Sequence, residues 1–278
     1  MADPHTFSAI LVQADRTDGA EARAALAADL ADRFGGKLIG AAAAQPYIPV
    51  YAPFGESFIA LQPEVLQTAR EQGERDLSAA EARFRAGAGG HEATWRQSLT
   101  TDCAGFMADL TRGADLVVVG RPGASDKDTA LGLYASDLVM TAGRPVLVTP
   151  PGVTRLSAAR MVMGWKDTRE ARRAALDALP FFKRAEEVFI VTAGADADET
   201  GAAEVAAWLT GHGVTARAVN EKSTEANVAD TILAVAARVN ADLVVAGAFG
   251  HSRMREWAFG GVTRALLTRA PCAVLFSH

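Results

Sequence analysis

Cysteine is scarce in this sequence: Cys103 and Cys272 are the only two among 278 residues, and they form no CxxC pair. This argues against a disulfide framework and against a cysteine-rich zinc site. Basic residues are not in excess, because the formal net charge is −5, which argues against a general nucleic-acid-binding surface. No apolar run reaches the roughly 20 residues of a membrane-spanning helix, and the first residues lack a signal-peptide pattern. We therefore expect a cytoplasmic protein with neither a nucleic-acid nor a membrane partner.

The sequence contains a long internal repeat. The segment ADLVVVGRPG begins at Ala114, and ADLVVAGAFG begins 127 residues later, at Ala241. In each copy a helix-like stretch and a second apolar run follow, and this order predicts two homologous halves. A Pro-Pro-Gly sequence at Pro150 marks the seam between them. We expect one domain over residues 1–152 and a second over 153–278.

Each half alternates short apolar segments with segments of helical periodicity. The predicted strands cover 7–13, 37–44, 93–98, 115–120 and 145–150, then 159–165, 186–194, 215–221, 242–247 and 272–276. The predicted helices cover 19–34, 64–86, 101–112 and 130–141, then 167–184, 199–211, 225–239 and 256–269. This alternation predicts an α/β fold with two tandem, doubly wound, five-stranded parallel-sheet domains of the Rossmann-like kind. We expect the last strands of the two halves to pair in an intramolecular pseudo-dimer, because exposed sheet edges need cover.

A glycine-rich stretch follows the repeated apolar run of the second half. Gly247, Gly250, Gly260 and Gly261 surround a basic, hydroxyl-bearing segment. Parallel sheets bind ligands at the carboxyl ends of their strands, and a helix N-terminus at that place attracts anions. From the spacing alone two interpretations stay open: a phosphate-holding loop, and an ordinary turn between a strand and a helix.

The spacing G-x2-G-x9-G, followed by a small residue, resembles the nucleotide-binding signature of the universal stress protein family. The segment APCAVLF, which begins at Ala270, also resembles the last strand of that family. The resemblance covers nearly the whole chain in two tandem copies, and it implies an adenine nucleotide alpha hydrolase-like fold. It further implies that ATP or AMP binds to the second half, with Mg²⁺ accompanying ATP. The residues implied in this contact are Gly247 on the ribose side, then Gly250, His251, Arg253, Gly260, Gly261 and Thr263.

The second half departs from the family pattern at two places. ATP-binding members have an aspartate just after the first strand, in a V-D-x-S context, and Lys166 takes its place here. The expected base-side contacts are therefore Trp165, Lys166 and Asp167, although lysine cannot accept a hydrogen bond from the adenine amino group. Gly261 stands where the family prefers serine or threonine, which leaves Thr263 as the nearest hydroxyl.

The first half departs further from the pattern. Gly120 and Gly123 are present, but only eight residues separate Gly123 from Gly132, one fewer than in the second half. Asp126 and Asp128 lie in the intervening segment, where carboxylates would repel a phosphate. We expect the nucleotide site of this half to be degenerate.

The resemblance implies a stress-response or regulatory protein that binds a nucleotide and is not an enzyme. The chain lacks a G-x-S-x-G elbow, a Walker A loop and a G-x-G-x-x-G turn after its first strand. Its five histidines are not spaced like metal ligands, so neither catalytic nor metal-ligating residues are predicted. Two alternatives stay open: an interaction module that dimerises without a nucleotide, and a slow ATPase with His251 or Asp167 as its base.

Overall fold

Ten strands and nine α-helices follow one another along the described part of the chain. The computed structural model describes residues 6–46, 63–121, 135–194, 197, 200–222, 224, 227–249 and 261–278. The strands are β1 (Ala9–Gln13), β2 (Lys37–Ala44), β3 (Ala93–Leu99), β4 (Leu116–Gly120), β5 (Val146–Thr149), β6 (Arg160–Gly164), β7 (Glu187–Ala193), β8 (Ala216–Glu221), β9 (Leu243–Gly247) and β10 (Ala273–Ser277). The helices are α1 (Gly19–Phe34), α2 (Pro63–Ala88), α3 (Cys103–Leu110), α4 (Ala135–Thr141), α5 (Arg169–Asp177), α6 (Leu179–Phe182), α7 (Ala202–Gly211), α8 (Val228–Arg238) and α9 (Gly261–Arg269).

All ten strands form one sheet in the order β3-β2-β1-β4-β5-β10-β9-β6-β7-β8. Within each half the neighbouring strands are parallel, and the second half repeats the strand order of the first. The two halves join where β5 and β10 pair antiparallel, with Leu147 opposite Leu275. The α/β class and the predicted pairing of the last strands are therefore confirmed.

The antiparallel junction sets the direction of the two halves. Because β10 runs opposite to β5, the strands of the second half run opposite to those of the first. The carboxyl ends of the two sets of strands therefore lie at opposite ends of the sheet. A ligand site of the first half and a ligand site of the second half would face away from each other.

Helices cover both faces of the sheet because the strands are apolar on both sides. One buried cluster joins the sheet to α1, α2, α5, α6 and α7, and the other joins it to α3, α4, α8 and α9. The predicted helix 167–184 is wrong in one respect, since it is divided into α5 and α6 at Ala178. Pro180 explains the break, because proline lacks a backbone N–H and its ring clashes with the carbonyl four residues earlier.

The two halves share a buried interface beyond the strand pair. The rings of Phe7, Phe34 and Phe181 pack against one another, with centroids 5.0 to 5.3 Å apart. On the other side of the sheet, Nη2 of Arg121 donates to the carbonyl oxygen of Cys272 at 3.1 Å. The larger core cluster contains residues of both halves. The halves therefore pack as one unit across the junction.

Candidate functional site

The sheet register shows which residues of the two halves occupy equivalent positions. Ile10 pairs with Leu116, and Met161 pairs with Leu243 at the matching position of the repeat. Counted forward from these pairs, Asp15 in the first half corresponds to Lys166 in the second. Both follow the central strand of their half, at the carboxyl end where a parallel sheet binds ligands.

The turn between β6 and α5 is fixed by its own hydrogen bonds. Thr168 is the N-cap of α5 and accepts a hydrogen bond from the backbone N–H of Ala171, while its own N–H donates to the Lys166 carbonyl oxygen at 2.7 Å. Asp167 accepts from Nη2 of Arg172 at 2.5 Å. Since this carboxylate is engaged by a guanidinium, Asp167 is poorly suited to act as the base of an ATPase.

A second acidic residue of this turn is buried. Glu170 is 5% exposed, and its side chain accepts a hydrogen bond from the exposed Arg169. Burial opposes ionisation of Glu170, but hydrogen bonds from Arg169, from its own backbone and from Thr168, together with the charge of Arg169, lower its pKa below the ordinary value. The carboxylate is therefore charged at neutral pH and neutralised by its partner.

Gly247 is required where β9 meets the start of α5. A Cβ at Gly247 would lie 2.5 Å from the backbone nitrogen of Ala171 and 2.6 Å from the carbonyl carbon of Glu170. Any side chain would push the helix away from the strand. This packing accounts for a glycine at position 247, and the ribose-side role expected for it stays a prediction.

The two described ends of the glycine-rich loop lie close together. The backbone N–H of Phe249 faces Oγ1 of the buried Thr263 at 3.5 Å, so the strand end and the first turn of α9 meet. Phe249 has a φ of 56°, a left-handed conformation that is strained for a residue with a side chain. A Cβ at Gly261 would have nothing within 4 Å. The other expected phosphate contacts, Gly250, His251, Arg253 and Gly260, lie outside the described residues.

Trp165 and Asp167 lie in a different setting from Gly247 and Thr263. The indole N–H of Trp165 donates to the Thr200 carbonyl oxygen at 2.7 Å, and this tryptophan is 7% exposed. Trp165 and Asp167 line a groove of about 540 Å³ between α5 and α7, and Gly247, Gly261 and Thr263 are not part of that lining. Their role as base-side contacts stays a prediction.

In the first half, a buried ion pair occupies the corresponding end of the sheet. Nη2 of Arg23 lies 2.7 Å from Oδ2 of Asp15, and Nε of Arg23 donates to the Gln13 carbonyl oxygen at 2.6 Å. A Cβ at Gly120 would overlap Nη1 of Arg23. The guanidinium therefore lies against the end of β4, where the repeat would place the ribose side of a nucleotide.

Arg23 was not predicted from the sequence. A sequence signal existed, since arginine at a position of α1 that faces the sheet contrasts with Ala174 at the equivalent position of α5. An arginine on an apolar helix face is also consistent with a surface position, so the sequence pattern did not predict whether Arg23 is buried against the sheet. The ion pair of Arg23 and Asp15 is a second reason to expect a degenerate first-half site. The first reason, Asp126 and Asp128, lies outside the described residues.

The two turns after β1 and β6 differ in charge. Residues 15–21 contain three acidic side chains and one basic side chain, a net charge of −2. Residues 166–172 contain three basic side chains and two acidic ones, a net charge of +1. The first turn of α4 contains Asp137, whereas the first turn of α9 contains no acidic residue. The second half is therefore the more favourable of the two for an anion.

No group of three or more histidine, cysteine, aspartate or glutamate side chains is arranged to hold a metal ion in the described part of the chain. Among the helices that the structure describes, none is long and apolar enough to cross a membrane.

Comparison with known proteins finds a family match for the second half. Residues 159–278 match the model of the universal stress protein family. The matched residues make up nearly all of the second half, so this half resembles the universal stress protein family. No curated protein sequence matches the chain.

Solved structures extend the likeness of fold to the whole chain. A universal stress protein from Archaeoglobus fulgidus DSM 4304 has a TM-score of 0.69 at 16% identity, over 97% of this chain and 95% of its own. A protein of unknown function from Pseudomonas aeruginosa PAO1 has a TM-score of 0.59 at 15% identity, over 98% of this chain and 93% of its own. A universal stress protein from Archaeoglobus fulgidus in complex with dAMP covers 53% of this chain and 98% of its own at 20% identity and a TM-score of 0.32. At these identities the first two structures show that both halves have the universal stress protein fold.

Proposed function

We propose that this chain is a tandem universal stress protein in which the second half binds the phosphate groups of a nucleotide and the first half does not. The first domain would comprise residues 1–152 and the second residues 153–278. Its role would be regulatory, through nucleotide-dependent contacts in a stress response, and its compartment the cytoplasm. ATP or AMP is the proposed ligand, and Mg²⁺ would arrive bound to the triphosphate.

The observation that supports this proposal is the charge contrast between equivalent turns. The turn after β6 has a net charge of +1 and the turn after β1 a net charge of −2. A phosphate at the carboxyl end of β9 would meet the start of α9, whose first turn is free of carboxylates. At the corresponding place in the first half, Arg23 lies against Gly120 and is already neutralised by Asp15.

The same geometry favours phosphate recognition over adenine recognition. Lys166 stands at the position where the family pattern has an aspartate, and an ammonium group can attract a phosphate but cannot accept a hydrogen bond from adenine. We therefore propose that Gly250, His251, Arg253, Gly260, Gly261 and Thr263 contact phosphate oxygens and that Trp165, Lys166 and Asp167 provide little selectivity for the base.

Equilibrium dialysis with labelled ATP, AMP and adenosine tests this function. We expect saturable binding of one ATP per chain, with adenosine the weakest of the three ligands. Arg253→Ala should weaken ATP binding roughly tenfold, as expected for the loss of one charge-assisted hydrogen bond of about 1.5 kcal/mol. Arg112→Ala is the matched control, because Arg112 is an exposed arginine of the first half.

The outcomes separate the three hypotheses. Absence of saturable ATP binding, together with dimers that form without nucleotide, would support the interaction module instead. Two ATP molecules per chain would contradict the role assigned to Arg23 in the first half. Phosphate release that exceeds the buffer background and is lost in His251→Ala would indicate a slow ATPase.

A further inference from the structure

Two of the large apolar side chains exposed on the described surface lie in one groove. Leu176 of α5 is 49% exposed and Trp208 of α7 is 39% exposed. Together with Trp165, Ala175 and Val205 they form the apolar part of the groove between α5 and α7. The volume of about 540 Å³ lies within the range of about 300 to 1,000 Å³ that is typical of small-molecule sites.

The first half shows that this groove is not a general consequence of the fold. There α2 packs directly on α1, and a Cβ at Gly87 would overlap the carbonyl oxygen of Glu21. Arg83 of α2 also pairs with Asp18, the residue before α1, and with Glu21 of α1, at 3.0 and 3.2 Å. The equivalent helices are therefore in close contact in the first half, whereas α5 and α7 leave room between them.

The second half has larger apolar residues at the positions that face this space. By the register of β1 and β6, Trp165 corresponds to Ala14, and Leu176 corresponds to Ala25. Larger side chains would ordinarily fill a gap between helices, yet Leu176 remains exposed beside Trp208. An apolar surface that is kept open in this way is typical of a binding site.

The charges of the groove favour a cation. Asp167 and Arg172 neutralise each other at 2.5 Å, and among the described residues of the lining Glu204 is the remaining charged one. Glu204 lies in the first turn of α7, where the helix dipole stabilises a carboxylate. The electron-rich faces of the two tryptophan rings attract ammonium groups. An anion would meet Glu204 and the ring faces, and both would repel it.

We propose that the groove lined by Trp165, Leu176, Glu204 and Trp208 binds a small organic cation with an apolar body. The apolar body would lie against Trp165 and Leu176, and the ammonium group would lie between Trp208 and Glu204. Gly247 and the proposed phosphate contacts Gly261 and Thr263 are not part of this lining, whereas Trp165 and Asp167 belong both to the lining and to the proposed base-side contacts.

Ligand-observed NMR titration with benzyltrimethylammonium tests the proposal, with benzyl alcohol as the neutral probe and phenylacetate as the anionic one. We expect the cation to bind most tightly and phenylacetate most weakly. Glu204→Gln should weaken binding of the cation roughly 2- to 5-fold, as expected for the loss of a solvent-accessible ion pair of about 0.5 to 1 kcal/mol, and should leave the affinity for benzyl alcohol unchanged. Trp208→Ala should abolish saturable binding of the cation.

Leu66→Ala is the matched control, since Leu66 is 39% exposed, like Trp208, but belongs to α2 of the first half. This variant should bind the cation as the wild type does. Equal affinity for phenylacetate and the cation, or unchanged affinity in Trp208→Ala, would overturn the proposal. Displacement of the cation by AMP would assign the groove to the base of the nucleotide and would also overturn the proposal of a cation site.

Discussion

The buried ion pair of Asp15 and Arg23 leads to a prediction about the stability of the protein. The carboxylate of Asp15 accepts hydrogen bonds from Nη2 of Arg23 at 2.7 Å, from Nε2 of Gln13 at 3.2 Å and from the backbone N–H of Thr17 at 2.9 Å. The side chain of Arg23 is 5% exposed and that of Asp15 is 11% exposed. Asp15→Ala would therefore leave a buried guanidinium without its counter-ion.

The expected loss of stability in Asp15→Ala depends on the contacts that Arg23 keeps. Removing one partner of a buried pair costs about 3 to 5 kcal/mol, because the other charge stays buried and unpaired. Nε of Arg23 would keep its hydrogen bond to the Gln13 carbonyl oxygen, so we expect a value near the lower limit, about 3 kcal/mol. The double variant Asp15→Ala/Arg23→Met replaces both charges by apolar groups and should lose less stability than either single variant.

Equilibrium urea unfolding, followed by tryptophan fluorescence and by circular dichroism, measures these losses. The control is Asp109→Ala, which removes a salt bridge whose side chains are 77% and 64% exposed and should change the free energy of unfolding by less than about 0.5 kcal/mol. A loss below about 1 kcal/mol for Asp15→Ala would contradict the buried-charge reasoning. A double variant less stable than both single variants would also contradict it.

Two further predictions concern packing and the thiols. Gly87→Ala should destabilise the protein by about 1 to 3 kcal/mol, because the new methyl group would overlap the backbone of α1. The control Gly113→Ala, where a Cβ meets nothing within 4 Å, should leave the free energy of unfolding nearly unchanged in the same urea titration. Burial raises the pKa of both Cys103 and Cys272, and the charge of Asp102 adds to the effect at Cys103. Because the reactive form is the thiolate, a disulfide reagent such as dithionitrobenzoate should modify both thiols slowly at pH 8. The rate should increase as the pH rises and should be highest in urea, and rapid modification of the native protein at pH 8 would refute this prediction.

The sequence predicted the elements of this fold closely because its signals are local. The helix 19–34 and the strand 37–44 have the predicted bounds, since a helix-period apolar pattern ends at Gly35, which adopts the left-handed conformation of a helix C-cap. The pairing of β5 with β10 followed from the repeat and from the need to cover exposed sheet edges. The break between α5 and α6 was missed, although Pro180 is a local signal for it.

For the candidate site too, the sequence predicted the features that depend on local patterns and missed those that depend on distant residues. The glycine spacing at Gly247 and Gly261 is a local pattern, so the sequence by itself predicts an anion-binding loop after β9 and indicates the resemblance to the universal stress protein family. Which charges meet at each strand end depends on side chains that are distant in sequence, and only the tertiary structure brought Arg23 against Gly120. The tertiary structure also decided that a groove exists between α5 and α7. The gap between two helices depends on how both pack against the sheet and not on the periodicity of either.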